Sequence, residues 1–393
     1  MFFLYTVFAA VLGVLLIAGI VEQRRHLRCL RSIPDRILVN GIRGKSSVTR
    51  LCAGALRGGG LTVVAKTTGT AARFIHPDAT EEPVHRKFDI ANVVEQIGIV
   101  RRAAAAKPDV LVMECMAVMP PLQEVNQTKL IQSTIGVLSN VREDHLQEMG
   151  PTLPDVARSL SRSMPVGGIC VTAERELLHI LQEEADKRSC HLIAVDPEDV
   201  TDEEMDGFAY HSFKENVAIS LEVARLVGIP RELALKGMWE APPDPGVLTV
   251  ESYRFGAKTL RFANVFAAND PRSTVMNVQQ LIERRLIQSP VFTLINCRPD
   301  RVERNGQMGE IVPELLTDKL FVIGHPSRSA LAKVPSSWRG EAFDLGGANR
   351  PVEEILKAVV DQIDGDASLV AIGNIHGQGE LLLHHLEQAV ERC

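Results

Sequence analysis

Aromatic residues are scarce in this 393-residue chain: 5% of positions, with three tyrosines and two tryptophans. A stacking platform for single-stranded nucleic acid is thereby excluded. Positive charge is not in surplus either. Lysine and arginine total 43 against 49 acidic residues, a formal net charge of -6 that argues against nucleic acid as a partner. The seven cysteines (Cys29, Cys52, Cys115, Cys170, Cys190, Cys297 and Cys393) are odd in number, scattered, and never spaced C-x-x-C. That excludes a disulfide framework or zinc knuckle and fits reduced thiols in a cytosolic compartment. There is no internal repeat, and the only low-complexity patch is the run Ala103–Ala106.

One stretch lacks charge altogether. From Phe2 to Val21 there is no charged residue, and thirteen of the twenty residues are Leu, Ile, Val or Phe. Twenty helical residues reach about 30 Å, the thickness of bilayer hydrocarbon. At roughly 0.3–0.6 kcal/mol each, those thirteen favour insertion by about 5 kcal/mol. The run is followed by Arg24, Arg25, Arg28 and Arg31, with no basic side chain before it. The positive-inside rule then puts everything after residue 22 in the cytoplasm. A basic leader and a small-residue cleavage site, the marks of a signal peptide, are not evident. The expectation is a single-pass anchor over 1–22, weighed against a buried core helix.

Beyond the anchor, 45% apolar and 23% charged residues describe a globular protein with a sizeable core. Apolar runs of strand length at 36–40, 61–66, 109–114, 134–140, 168–172 and 191–195 alternate with helical patterns at 46–57, 90–106, 152–163 and 174–187. Helical patterns continue at 214–227 and 231–239. This alternation predicts an α/β domain, 34–240, with a mostly parallel sheet covered by helices. Three prolines in Ala241-Pro242-Pro243-Asp244-Pro245-Gly246 break regular structure and mark a boundary. A smaller Rossmann-like α/β domain, 246–393, is expected after it, with strands at 259–267, 290–296, 319–323 and 367–373. Its helices are expected near 272–286, 311–316, 350–362 and 378–391. Paired α/β domains place their sites at the carboxyl ends of strands, in the cleft between them.

The first of those strand ends carries Asn40-Gly41-Ile42-Arg43-Gly44-Lys45-Ser46-Ser47. A strand, a glycine turn and a helix start aim backbone N–H groups and a positive dipole end at one point. Lys45 adds a full charge, and the Ser46 hydroxyl can take a Mg²⁺ position. The common phosphate loop has four residues between its first glycine and the Gly-Lys pair; here only Ile42 and Arg43 intervene. Glu114 ends the apolar strand DVLVME, where an acid serves either as a metal ligand or as a turn cap. Ser139-Asn140-Val141-Arg142-Glu143-Asp144-His145 offers oxygen and nitrogen donors at another strand tip. Lys66-Thr67-Thr68-Gly69-Thr70 supplies hydroxyls for an oxyanion. Asn269 and Asp270 open a helix in the smaller domain, facing a nucleotide or simply capping the helix.

Taken together, these motifs resemble the Mur ligase superfamily of ATP-dependent amide ligases. The strings NGIRGKSSVTR, KTTGTAAR, ECMAV, EDHLQEMGPTL, APPDPG, NCRPDR and GNIHG extend the likeness from residue 40 to residue 377. Within that superfamily the chain is similar to the ligase subunits of poly-γ-glutamate synthases, the membrane-bound enzymes of polyglutamate capsules. The resemblance implies that Gly41, Gly44, Lys45, Ser46 and Ser47 cradle the phosphates of ATP. It implies that Ser46 and Glu114 hold Mg²⁺ (with Mn²⁺ as a substitute), that His145 ligates a second ion, and that Asn269 and Asp270 meet the nucleotide. Asp300-Arg301 and the 373–379 loop would lie near the same cleft. Lys45, Glu114 and His145 are then the catalytic set. Implied partners are glutamate, its γ-linked polymer and integral-membrane export subunits, with room for a homo-oligomer. Many relatives carry a carbamoylated lysine on the helix after the histidine motif. Here that stretch is Val156-Ala157-Arg158-Ser159-Leu160-Ser161, without a lysine.

Two other classes compete. A membrane-anchored P-loop kinase or regulatory ATPase of capsule export would need a tyrosine-rich tail, whereas this chain has only Tyr5, Tyr210 and Tyr253. The other is a non-catalytic nucleotide-binding scaffold, in which neither glutamate nor its polymer would stimulate ATP turnover.

Overall fold

A computed structural model describes residues 2–68, 72–85, 92–208, 210, 212–244, 248–266, 268, 270–347 and 349–389. The chain divides into two compact units, Met1–Asp244 and Pro245–Cys393.

The first unit begins with α1 (Phe2–Arg31), β1 (Asp35–Asn40), α2 (Lys45–Gly58), β2 (Val63–Lys66), β3 (Arg73–Ile75), β4 (Glu81–Pro83), α3 (Glu95–Ala105) and β5 (Val110–Glu114). It continues through α4 (Pro120–Val125), β6 (Ile135–Leu138), α5 (Leu146–Met149), α6 (Leu153–Leu160), β7 (Ile169–Thr172), α7 (Leu178–Lys187), β8 (His191–Ala194), α8 (Asp202–Asp206), α9 (Lys214–Leu226) and α10 (Arg231–Trp239). Its eight strands lie in the order β4-β3-β2-β5-β1-β6-β7-β8. From β2 to β8 every neighbouring pair is parallel; only the β2–β3–β4 edge is antiparallel. The central strands β1, β2, β5 and β6 are apolar on both faces because helices cover both. One core joins Val39, Val112 and Val137 to α2, α9 and α10. Another joins Leu38, Val64 and Leu111 to Leu30 of α1 and to Ile99, Val100 and Ala103 of α3.

The apolar N-terminal run is the outer part of α1, and its most apolar window is wholly exposed. The helix does not stop at residue 22. It continues unbroken to Arg31, where His26 and Leu30 are buried against the body.

The second unit holds β9 (Thr249–Phe255), β10 (Lys258–Asn264), α11 (Pro271–Glu283), β11 (Val291–Cys297), α12 (Val302–Glu310), β12 (Lys319–Gly324), α13 (Arg328–Leu331), β13 (Glu341–Asp344), α14 (Val352–Val360), β14 (Asp366–Gly373) and α15 (Gln378–Ala389). Its strand order is β13-β12-β11-β14-β10-β9, parallel except for β9. The helix expected near 311–316 is a correction. A 3₁₀ turn occupies Val312–Leu315, and the α-helix precedes it as α12.

Candidate active site

Because β1, β2, β5 and β6 run parallel, their carboxyl ends lie along one edge of the sheet. In register, Val39 stands beside Glu114 and Lys66 beside Met113. The loop after β1, the loop after β2, the tip of β5 and the loop after β6 therefore share that edge.

The phosphate loop requires its glycines. Gly41 has φ +133° and Gly44 φ +76°, in the left-handed region that favours glycine. A Cβ on Gly41 would sit 2.1 Å from Ser139 Oγ and 3.0 Å from the Ser139 amide nitrogen. The tip of β6 clamps the loop: Ser139 Oγ donates to Arg43 O at 2.8 Å, and Asn140 Nδ2 donates to the same oxygen at 3.0 Å. The Arg43 amide in turn donates to Asn140 Oδ1 at 3.0 Å. Asn140 therefore shapes the phosphate loop rather than standing free as a metal or phosphate donor. Lys45 Nζ lies back over its own loop, donating to Gly41 O at 2.8 Å and Ile42 O at 3.2 Å.

Ser46 and Glu114 come together. Ser46 Oγ donates to Glu114 Oε2 at 2.8 Å, and the Thr68 amide donates to the same oxygen at 2.7 Å. Glu114 is 2% exposed. A hydroxyl and a buried carboxylate meeting at the start of a helix suit Mg²⁺, which keeps waters and substrate phosphates as its remaining ligands. The donor set fits one such ion.

For a second ion the arrangement is different. His145 has φ +52° and stands at the start of α5. Its Nε2 lies 3.9 Å from Asp144 and its Nδ1 3.8 Å from Glu148, while Asp144 pairs with Arg43 at 3.3 Å. No group of three His, Cys, Asp or Glu side chains closes on a point among the described residues. The serines of the lysine-free stretch turn inward. Ser159 Oγ accepts from Gln123 Nε2 at 3.2 Å, and Ser161 Oγ donates to Ala157 O at 2.8 Å. The described residues do not form a second metal cage.

In the second unit, Asp270 caps α11, accepting from the Ser273 amide at 2.8 Å. Asn269 lies outside the described residues. Asp300 forms a bidentate pair with Arg298 at 2.9 and 2.8 Å. The segment after β14 is tied down by two side chains from segments the resemblance singled out, Asn296 opening NCRPDR and Gln378 in the 373–379 loop: Asn296 Nδ2 donates to His376 O at 2.9 Å, and Gln378 Oε1 accepts from the Gly324 amide at 2.7 Å.

Two further groups in the first unit were not anticipated. Glu174, 4% exposed, accepts from the Val141 amide at 2.8 Å and from Arg142 at 3.3 Å, fixing the root of the loop that carries His145. Arg50, on the phosphate-loop helix, is buried between Glu81, which it binds through two nitrogens, and Asp244 at 3.3 Å. Burial pushes the Asp244 carboxyl above its ordinary value, opposed by Arg50. Arg50 closes the string NGIRGKSSVTR and Asp244 lies in APPDPG, so both carried a signal, whereas Glu81 carried none.

The chain matches the description "Mur ligase middle domain" over residues 39–234 and "Poly-gamma-glutamate synthase CapB C-terminal domain" over residues 250–389. It is 37% identical to the capsule biosynthesis protein CapB of Bacillus anthracis, across 94% of this chain and 80% of that one. To the PGA synthase CapB of Bacillus subtilis strain 168 it is 35% identical, across 96% of both chains. Its fold is similar to that of Escherichia coli FolC solved with ADP, with a TM-score of 0.65, 15% identity and 92% of each chain covered. With such identity over nearly its whole length, this chain belongs to the CapB family of ATP-dependent amide ligases within the Mur ligase superfamily.

Proposed function

We propose that the protein joins glutamate residues into a γ-linked polymer, consuming ATP through a γ-glutamyl phosphate, at the cytoplasmic face of a membrane. A carboxylate cannot be acylating on its own, because oxide is not a leaving group at neutral pH. Transfer of the γ-phosphoryl of ATP to the acceptor carboxylate gives an acyl phosphate. Attack by the incoming glutamate amine forms the amide bond and releases phosphate. The protein's part is positioning and charge neutralisation.

The single observation that carries this reading is the convergence of Ser46, Glu114 and the Thr68 amide beside the Gly41–Lys45 loop. The loop amides and Lys45 would hold the β- and γ-phosphates, Lys45 exchanging its bonds to Gly41 O and Ile42 O for phosphate oxygens. Ser46 and Glu114 would hold Mg²⁺, which when bound offsets charge on the transferring group. His145 is proposed as a lone protein donor at the same edge; no step is drawn through a second ion. In the second unit, Asn269 and Asp270 are proposed to meet the nucleotide, and integral-membrane subunits are proposed to carry the polymer onward.

The test uses membranes containing the whole synthase, ATP, Mg²⁺ and labelled glutamate, with the γ-linked product sized. Lys45→Ala should lower synthesis by roughly 10²–10³, as loss of one transition-state donor does. Near-normal synthesis by that variant would overturn the phosphate-loop assignment. Glutamate-independent ATP hydrolysis without product would instead favour the regulatory ATPase.

A further inference from the structure

Arg73 closes the string KTTGTAAR and opens β3. Side chains alternate along a strand, so the two faces of the first sheet are told apart by what they pack on. Ala65, Ile75 and Val112 belong to the core built on α2, whereas Val64, Phe74 and Met113 belong to the core built on α3. By that alternation Glu114 and Arg73 both stand on the α2 face. Lys66, bound to Glu95 of α3, stands on the other.

Register sets their level. Lys66 pairs with Met113 on one side and with Phe74 on the other. One residue nearer the tip, Thr67 therefore lies between Glu114 and Arg73. The Thr67 amide donates to Arg73 O at 2.9 Å, and its hydroxyl accepts from the Arg73 amide at 3.1 Å. The next amide, that of Thr68, is the one that donates to Glu114. At about 4.8 Å per strand, two spacings put the Arg73 backbone about 10 Å from that of Glu114. Along the carboxyl edge the order is phosphate loop after β1, Glu114 on β5, Thr67 after β2 and Arg73 on β3.

Arg73 differs from the other cations near this edge. Arg43 pairs with Asp144, Arg50 with Glu81 and Asp244, and Lys66 with Glu95. Arg73 has no acidic partner among the described residues, and its Nε is buried without a hydrogen bond. A donor withdrawn from water and left unbonded costs free energy, which an incoming oxyanion relieves. The guanidinium fork matches a carboxylate through two parallel bonds.

The terminal residue of a γ-linked glutamate chain carries two carboxylates, and only the γ-carboxylate must take the phosphoryl group. With the ATP phosphates on the loop after β1, the acceptor approaches Glu114 from the β2–β3 side, where Arg73 stands. Resting on the ligase reading above, we infer that Arg73 binds the α-carboxylate of the chain's terminal residue and so leaves its γ-carboxylate to the phosphoryl group above Ser46 and Glu114. The linkage is then γ because the α-carboxylate is held away from the reaction.

The test uses membranes with the whole synthase, ATP, Mg²⁺, labelled glutamate as the amine, and two synthetic γ-glutamyl oligomers as acceptors. One ends in glutamate; the other ends in γ-aminobutyrate, which keeps the reacting carboxylate and lacks the α-carboxylate. Wild-type protein should prefer the first by roughly 10–100-fold in kcat/KM, the effect of one charge-assisted pair. Arg73→Gln should lower kcat/KM for the glutamate-ended acceptor by that factor, change the other little, and leave the KM for ATP within about twofold. Arg73→Lys should restore part of the preference. A preference that survives Arg73→Gln, or a wild type that shows none, would overturn the assignment. Equal losses on both acceptors would put Arg73 on the phosphates or the γ-carboxylate and overturn it as well. Failure of the wild type to extend either acceptor would instead overturn the ligase reading, and this inference with it.

Discussion

At the residue scale, the phosphate loop is built before any nucleotide arrives. Three bonds from Ser139 and Asn140 hold Arg43, and Gly41 passes so close to Ser139 that no side chain fits. Gly41→Ala should therefore abolish measurable ATP binding by calorimetry while leaving the far-UV spectrum of the folded chain intact. Ser46→Ala is a milder change. Glu114 keeps its bond from the Thr68 amide, so the carboxylate stays in place. We expect the apparent Mg²⁺ affinity, read from the metal dependence of turnover, to fall on the order of 10–100-fold. An unchanged metal dependence would separate Ser46 from the ion.

Legibility at this scale followed strand ends. Gly41, Lys45, Ser46 and Glu114 announce themselves because apolar runs terminate on them. Glu174 and Gln123 do not, because a buried carboxylate or amide that positions a neighbouring loop looks, in a sequence, like any polar residue after a strand or in a turn. Their role exists only once Val141 and Ser159 have been brought to them from distant parts of the chain.

At the element scale, long apolar strands such as β1, β5 and β11 were readable because burial on both faces leaves an uninterrupted run. The β3–β4 hairpin escaped notice because each strand has three residues and β4 is Glu-Glu-Pro. α12 was hidden by Gly306 and Gly309. A Cβ on Gly309 would meet Ala330 O at 2.2 Å, so close helix packing overrides the low helix propensity of glycine.

The base of α1 offers a pH test at this scale. His26 is buried, its Nε2–H donates to Leu130 O, and its Nδ1 has no hydrogen-bond partner among the described residues. Burial therefore holds its pKa below the ordinary 6.5. A depressed folded-state value favours the neutral ring, so the docking it supports is complete above the unfolded value and is lost as pH falls from there through the folded one. Hydrogen-exchange protection over residues 22–31 should be full at neutral pH and weaken on acidification. Protection that stays flat down to pH ~5 would remove His26 from this role.

At the scale of the whole molecule, the two units have separate cores. The buried clusters of the second unit draw only on residues 248 to 386, and those of the first only on residues 30 to 238. A fragment covering 248–393 should thus unfold cooperatively in denaturant when expressed alone. A broad, non-cooperative transition would mean that its core needs the rest of the chain.

The inward-turned serines of α6 and the turn after it carry one more consequence. Where a ligase completes its site with a carbamoylated lysine, its activity depends on dissolved carbon dioxide to keep that group formed. Here Ser159 and Ser161 are engaged with Gln123 and Ala157, and the exposed Arg158 pairs with Asp155. No amine stands on that stretch to take up carbon dioxide. Polymer synthesis should then run at the same rate in rigorously degassed, bicarbonate-free buffer as in air, making this enzyme indifferent to a gas that others of its superfamily require.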